Sequence, residues 1–233
     1  MRLLIIRPEP GASASAARAR AAGLDPVLLP FFAVAPLDWR LPESGGHDAL
    51  LLTSANAVRN AGPGLDPLRS LPVFCVGDRT ATAAKAAGLD VAYIGTSDGA
   101  ASAAAAANAG YRRLLWLAGE DHRAIDAAPM SVDIIPVYAS QPLALPPDGR
   151  EIIGSVDAVA LHSPRAAALF AERIARMELD RNRLMIAAFS AAIAEAAGSG
   201  WRAVAVATSP SDAALLSALA QCANPTLMMK EKS

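Results

Sequence analysis

The chain has 233 residues, 53% of them hydrophobic and 5% aromatic, with a formal charge of -1 at pH 7. That balance concentrates no polyanion at the surface, which excludes nucleic acid as the default partner and requires any anionic ligand to be held by a local cluster of donors. Cys75 and Cys222 form neither a disulfide framework nor a metal-ligand spacing, and no stretch approaches the roughly 18 to 20 apolar residues of a membrane span.

Short apolar runs alternate with alanine-rich helical patterns along the whole chain. The runs predict strands near 3–6, 27–32, 49–52, 72–76 and 91–94, then near 113–117, 132–137, 157–161, 184–187 and 203–207. Helices are expected over about 12–22, 54–61, 79–87, 98–108, 122–128, 164–176, 190–198 and 211–221. Continuously apolar strands between helices indicate parallel sheets covered on both faces, the doubly wound α/β arrangement. The opening "MRLLIIRPEP" has too short an apolar core for a signal peptide, so a cytoplasmic protein is expected. The closing "NPTLMMKEKS", polar at its end, is expected to fray.

The order of these elements repeats. "RLLIIRPEP" is echoed by "RRLLWLAGED", "HDALLLTSANAV" by "VDAVALHSPRAA", and the stretch beginning "LPVFCVGDRTATAA" by the one beginning "RLMIAAFSAAIAEA". Equivalent residues lie 111 (Arg2 and Arg113), 109 (Asp48 and Asp157) and 112 (Ser97 and Ser209) positions apart, so the chain is a duplicated unit. The proline-bearing segments "APLDWRLPESGG" and "SQPLALPPDGRE" occupy equivalent places after the second strand of each copy. They are either surface loops or crossings between two lobes, which would then be residues 1–36 with 141–233, and 37–140.

In open parallel sheets ligands bind beyond the carboxyl ends of the strands. The residues expected there are Arg7, Thr53, Ser54, Gly77, Thr80, Ser97, Gly119, Tyr138, His162, Ser163, Ser190 and Ser209. Each hydroxyl taken alone suits a helix cap. Their recurrence at almost every strand end suits a cleft lined by neutral donors. "GEDHR" (119–123) has the composition of a capped first turn, and His47, His122 and His162 have no metal-site spacing.

Taken together these motifs resemble the uroporphyrinogen-III synthase family. The matching residues are "IIRPEP" after the first strand, Leu29-Pro30, "TSANAV" (53–58), "VGDRTA" (76–81), Val137-Tyr138, Ser163-Pro164, "IAAFSAA" (186–192) and "SPSDAAL" (209–215). The resemblance covers about residues 1–220 and implies two flavodoxin-like doubly wound lobes joined by a two-segment crossover. It favours the crossing reading of the proline segments. It implies a monomeric enzyme without metal or cofactor that cyclises hydroxymethylbilane to uroporphyrinogen III, losing water and inverting the last ring through a spiro intermediate. Its substrate is a linear tetrapyrrole carrying eight carboxylates, received in transient contact with hydroxymethylbilane synthase.

By the same resemblance Tyr138 assists departure of the hydroxyl. Arg7, Thr53, Ser54, Gly77, Thr80, Ser97, His162, Ser163, Ser190 and Ser209 are the substrate-binding set. Four positions stand out against the pattern: Ile6, where the family has threonine; His162, which replaces the threonine of the first copy; Ala188, where glycine is usual; and Ala191, where a second threonine is frequent. They motivate an alternative, a catalytically weakened tetrapyrrole-binding or regulatory module of the same fold. A weaker alternative, a sugar-phosphate-binding α/β protein, lacks a glycine-rich phosphate loop.

Overall fold

The computed structural model describes residues 1–42, 45–128 and 130–223. The chain divides into two compact units, Met1–Ala33 with Pro142–Ser233, and Val34–Gln141. The segment 224–233, expected to fray, lies outside the described residues.

The first unit is built on a five-stranded sheet. Its strands are β1 (Arg2–Ile5), β2 (Asp25–Leu28), β9 (Ala158–Leu161), β10 (Met185–Ala188) and β11 (Ala203–Val206), in the spatial order β2-β1-β9-β10-β11. All neighbours are parallel. The second unit has six strands: β3 (Phe32–Pro36), β4 (Ala49–Leu52), β5 (Val73–Val76), β6 (Val91–Gly95), β7 (Arg113–Gly119) and β8 (Ser131–Pro142). Their order is β3-β8-β7-β4-β5-β6, with the pairs from β8 to β6 parallel. If the repeat equates β7, β8, β4, β5 and β6 with β1, β2, β9, β10 and β11, both sheets share one order, the flavodoxin type. The first two strands of each copy therefore complete the sheet of the other copy's last three. The chain passes between units twice, near the junction of β2 with β3 and at the end of β8.

Both faces of each sheet are covered. Val159, Leu161, Ile186 and Ala188 pack with α6 (Pro164–Arg176), α7 (Ala191–Ala196) and α5 (Gly149–Gly154). The alternate residues Leu3, Ile5, Ala158, Ala160 and Met185 pack with α1 (Gly11–Ala21) and α8 (Asp212–Ala223). In the second unit Leu50, Leu52, Leu115 and Leu117 meet α2 (Ala55–Asn60) and α3 (Asp78–Ala86). Ala49, Leu51, Leu114 and Trp116 meet α4 (Gly99–Asn108). Strands buried on both faces have no polar side to alternate, which is why they were continuous apolar runs in the sequence.

Four expectations are corrected. The single strand expected over 27–32 is two, because Pro30 cannot donate to the ladder and the chain leaves β2 there for β3 in the other sheet. A short helix, α5, lies in the second proline-bearing segment where none was expected. A 3-10 helix follows α2 over Gly62–Leu68. No helix forms over 122–128. The chain must return from Gly119 to Ser131, which pairs with Arg113 at the far end of β7. The connection instead runs irregularly, with Asp126 Oδ1 accepting from Ala128 N–H at 3.1 Å and Ala127 O from Met130 N–H at 2.8 Å.

At the amino end of each sheet an aspartate clasps the two central strands. Asp48 accepts from the backbone N–H of Arg112 at 2.7 Å and of Arg113 at 3.0 Å. Its repeat, Asp157, accepts from Arg2 N–H at 2.7 Å. At the other end of the first unit a second carboxylate, Asp212, gathers the chain. It accepts from Ser15 Oγ at 3.0 Å, pairs with Arg18 at 2.8 Å and with Arg7 at 3.8 Å, and lies 3.2 Å from His162 Nε2. Burial alone would raise the Asp212 pKa, but bonds from Ser15 and His162 and the field of Arg7 hold it below the usual carboxylate value. Burial, reinforced by Arg7, lowers His162 from 6.5 to about 4, with Asp212 opposing.

Replacing Asp48 by Ala removes an ionised acceptor from two strand N–H groups and should lower stability by about 1.5–3 kcal/mol, read from urea midpoints; an unchanged midpoint would mean that apolar patterning alone sets the register. A pH dependence also follows from His162. Between its ordinary value and about 4 the unfolded chain binds a proton that the folded chain refuses, so stability is present above pH 6.5 and falls as pH drops toward 4. Unfolding free energies at pH 7.5, 5.5 and 4.5 should show this loss in the native protein and a smaller one in His162→Gln.

Candidate active site

Each sheet has one place where neighbouring strands send their connections in opposite directions. In the first unit it lies between β1 and β9, in the second between β7 and β4. A crevice opens at the carboxyl ends of such a pair. The two crevices are filled differently.

In the first unit the protein's own side chains occupy it. Arg7 donates to Ser15 Oγ at 3.1 Å, and Gly11 lies against its guanidinium. The His162 side chain is only 7% exposed and packs edge-on against Phe189 with ring centroids 4.5 Å apart. The void beside His162 and Asp212 is about 10 Å³, no larger than a single water requires. Ser163 caps α6, accepting from Ala166 N–H at 3.2 Å.

In the second unit an open crevice of about 480 Å³ is lined by Thr53, Ser54, Trp116, Gly119, Tyr138 and the loop residues Asp121 to Asp126, with Asp98 to Ala100 at the start of α4. Thr53 Oγ1 accepts from the buried indole N–H of Trp116 at 3.2 Å. Ser54 Oγ accepts from Asn56 N–H at 3.2 Å as the cap of α2. In both hydroxyls the protein fills an acceptor position and leaves the O–H as a donor, the arrangement a carboxylate requires. Two of the acids at the rim are already occupied, since Asp98 caps α4 through Ala101 N–H at 2.8 Å and Asp126 holds its own turn.

Tyr138, half-buried on β8, lies against Gly119: a Cβ there would stand 2.7 Å from its Cζ and 2.9 Å from its hydroxyl. Glu120 N–H donates to Tyr138 O at 2.8 Å, fixing the backbone. His122 Nδ1 is 3.0 Å from Gly119 O, and its ring meets Trp116 edge-on with centroids 5.3 Å apart.

The remaining expected residues do not line this crevice. Gly77 turns into α3 with φ 77°. Thr80 is buried, 5% exposed, on the inner face of α3. Ser97 is exposed and yields the cap of α4 to Asp98, while Ser209 yields that of α8 to Ser211, whose Oγ accepts from Ala214 N–H. Ser190 precedes α7 without a side-chain capping bond. Reading hydroxyls alone missed Asp212, Trp116, His122 and Arg123. The first two carry no local signal, and the last two were hidden by the expected helix. Among the described residues no group of three His, Cys, Asp or Glu side chains is placed to hold a metal ion, and no helix is long and apolar enough to cross a membrane.

The family model described as uroporphyrinogen-III synthase HemD matches residues 13–217. No curated protein matches the chain. Among solved structures, the uroporphyrinogen-III synthetase of Helicobacter pylori aligns over 95% of this chain and 99% of its own at 14% identity and a TM-score of 0.63, a likeness of fold. A mutant uroporphyrinogen-III synthase from Thermus thermophilus aligns over 95% and 98% at 21% identity and a TM-score of 0.49. The family match spans most of the chain and both sheets, and the chain belongs to the uroporphyrinogen-III synthase family, enzymes of tetrapyrrole biosynthesis.

Proposed function

We propose that the crevice of the second unit is where this enzyme works on hydroxymethylbilane, with Tyr138 assisting loss of the terminal hydroxyl. The observation that carries the reading is the convergence of Tyr138, Thr53 and Ser54 on one open crevice with O–H donors left over. A phenol donates a hydrogen bond to a departing hydroxyl, and two alcohol donors hold a carboxylate beside it. Arg123, which also lines the crevice, adds the charge that such a substrate calls for. The cation left by water loss closes unaided to the wrong isomer, so holding the chain in the spiro geometry is most of the catalytic work.

Arg7, His162, Ser163, Ser190 and Ser209, at or near the strand ends of the first unit, belong to the wider substrate-binding set in this reading, with Gly77, Thr80 and Ser97 as the corresponding residues of the second. The domains in this reading are the two compact units, Met1–Ala33 with Pro142–Ser233, and Val34–Gln141, each boundary within a few residues of the one expected from the proline segments. The enzyme is monomeric and cytoplasmic, each unit having its own core. It takes its substrate in transient contact with hydroxymethylbilane synthase, which shortens the time available for unaided closure.

Tyr138→Phe should lower kcat by about 10²-fold, within the range general acid catalysis contributes, while the Tm moves by only a few degrees; equal loss of activity and stability would make Tyr138 structural. Gly119→Ala should have a similar effect on kcat, because the added methyl displaces the phenol. Isomer-resolved assays and thermal melts of both variants check this. A native enzyme producing only the type I isomer would refute the functional reading.

A further inference from the structure

We propose that His122 is the base of this reaction, accepting through Nε2 the proton released from the unsubstituted pyrrole carbon of the last ring when the macrocycle closes after inversion. The proposal rests on the reading that the second unit's crevice takes the tetrapyrrole.

Three observations assign the role. Nδ1 lies 3.0 Å from Gly119 O, and a carbonyl can only accept, so the hydrogen of the neutral ring is on Nδ1 and the lone pair is on Nε2. Nε2 has no partner among the described residues, and the edge-on contact with Trp116 fixes the ring plane. Gly119 also seats Tyr138, so a donor and an acceptor of protons are held by one residue in one crevice. The other two histidines are committed elsewhere: His47 Nε2 is 2.7 Å from Asp133 Oδ2 at the amino end of the sheet, and His162 bonds Asp212 in the first unit.

The chemistry needs such a group. Loss of the hydroxyl lets the terminal carbon bond to the substituted carbon of the last ring, giving the spiro intermediate; that ring's original bridge bond then breaks, and the bridge carbon bonds instead to the ring's unsubstituted carbon, which gives up its one hydrogen as a proton. Tyr138 supplies a proton to the departing hydroxide, which leaves as water. His122 takes the proton from carbon and returns it to the phenolate, so both side chains end as they began and one water is lost per turnover.

The charged and titratable groups facing His122 are Asp121, Arg123 and Asp126 of its own loop, Asp98 at the start of α4 and Tyr138 of β8. The test uses full-length His122→Asn, whose amide N–H preserves the bond to Gly119 O but which has no Nε2, and His122→Ala assayed with and without added imidazole. With hydroxymethylbilane as substrate, His122→Asn should keep the native Tm, hold KM within about threefold, lose about 10²-fold in kcat and lose the acid limb of the native pH profile. Imidazole should restore part of the activity of His122→Ala. Native kcat and pH profile in His122→Asn would overturn the proposal and leave His122 a latch on the loop, as would loss of kcat without imidazole rescue. If the native enzyme gives only the type I isomer, the functional reading beneath the proposal fails, and the proposal with it.

Discussion

The architecture depends on the register between the two central strands of each sheet. Asp48 and Asp157 fix that register from the amino end, each accepting from backbone N–H groups of a strand that belongs to the other copy of the repeat. A carboxylate bonded to main-chain donors fixes its neighbour's position along the strand axis, and a slip by one residue would turn every apolar side chain to the wrong face. With the amino ends clasped, the carboxyl ends hold the only freedom the topology leaves. There the connections from β7 and β4, and from β1 and β9, part in opposite directions. The repeat thus generates two crevices from one rule.

Duplication made two such places, and the sequence treats them unequally. Ile6 and Ala188 are fully buried in the apolar core around Phe170, His162 is tied to Asp212, and Ala191 opens α7. All four departures from the family pattern therefore fall in the first unit. The second unit keeps the hydroxyl pair, the tyrosine and the open space. Nothing in this distribution favours a weakened binding module, because the substitutions lie in the other sheet from Tyr138.

Much of the fold was legible in the sequence because a strand buried on both faces must be continuously apolar, and the repeat doubled each signal. The site was less legible, for reasons particular residues make plain. Asp212 meets Ser15 across 197 positions, a pairing no local pattern encodes. Asp98 and Ser97 are both good caps, and only the backbone extension of Asp98 decides between them. The loop after β7 has helical composition yet runs irregularly, and that course puts His122 and Arg123 at the crevice.

The irregular loop bears on how a protein of net charge -1 would hold a polycarboxylate in the proposed crevice. A helix in place of the loop would have spent the loop's N–H groups on its own carbonyls. The irregular return instead absorbs acids: Asp126 closes the loop's turn and Asp98 caps the helix beside it. Thr53 and Ser54 each accept one bond, from an indole and from a backbone N–H, which leaves each O–H available to donate. In the proposed function, an anion in this crevice would be held by Arg123 and by the hydroxyl hydrogens of Thr53, Ser54 and Tyr138, against the carboxylates of Asp98, Asp121 and Asp126 that line the same space.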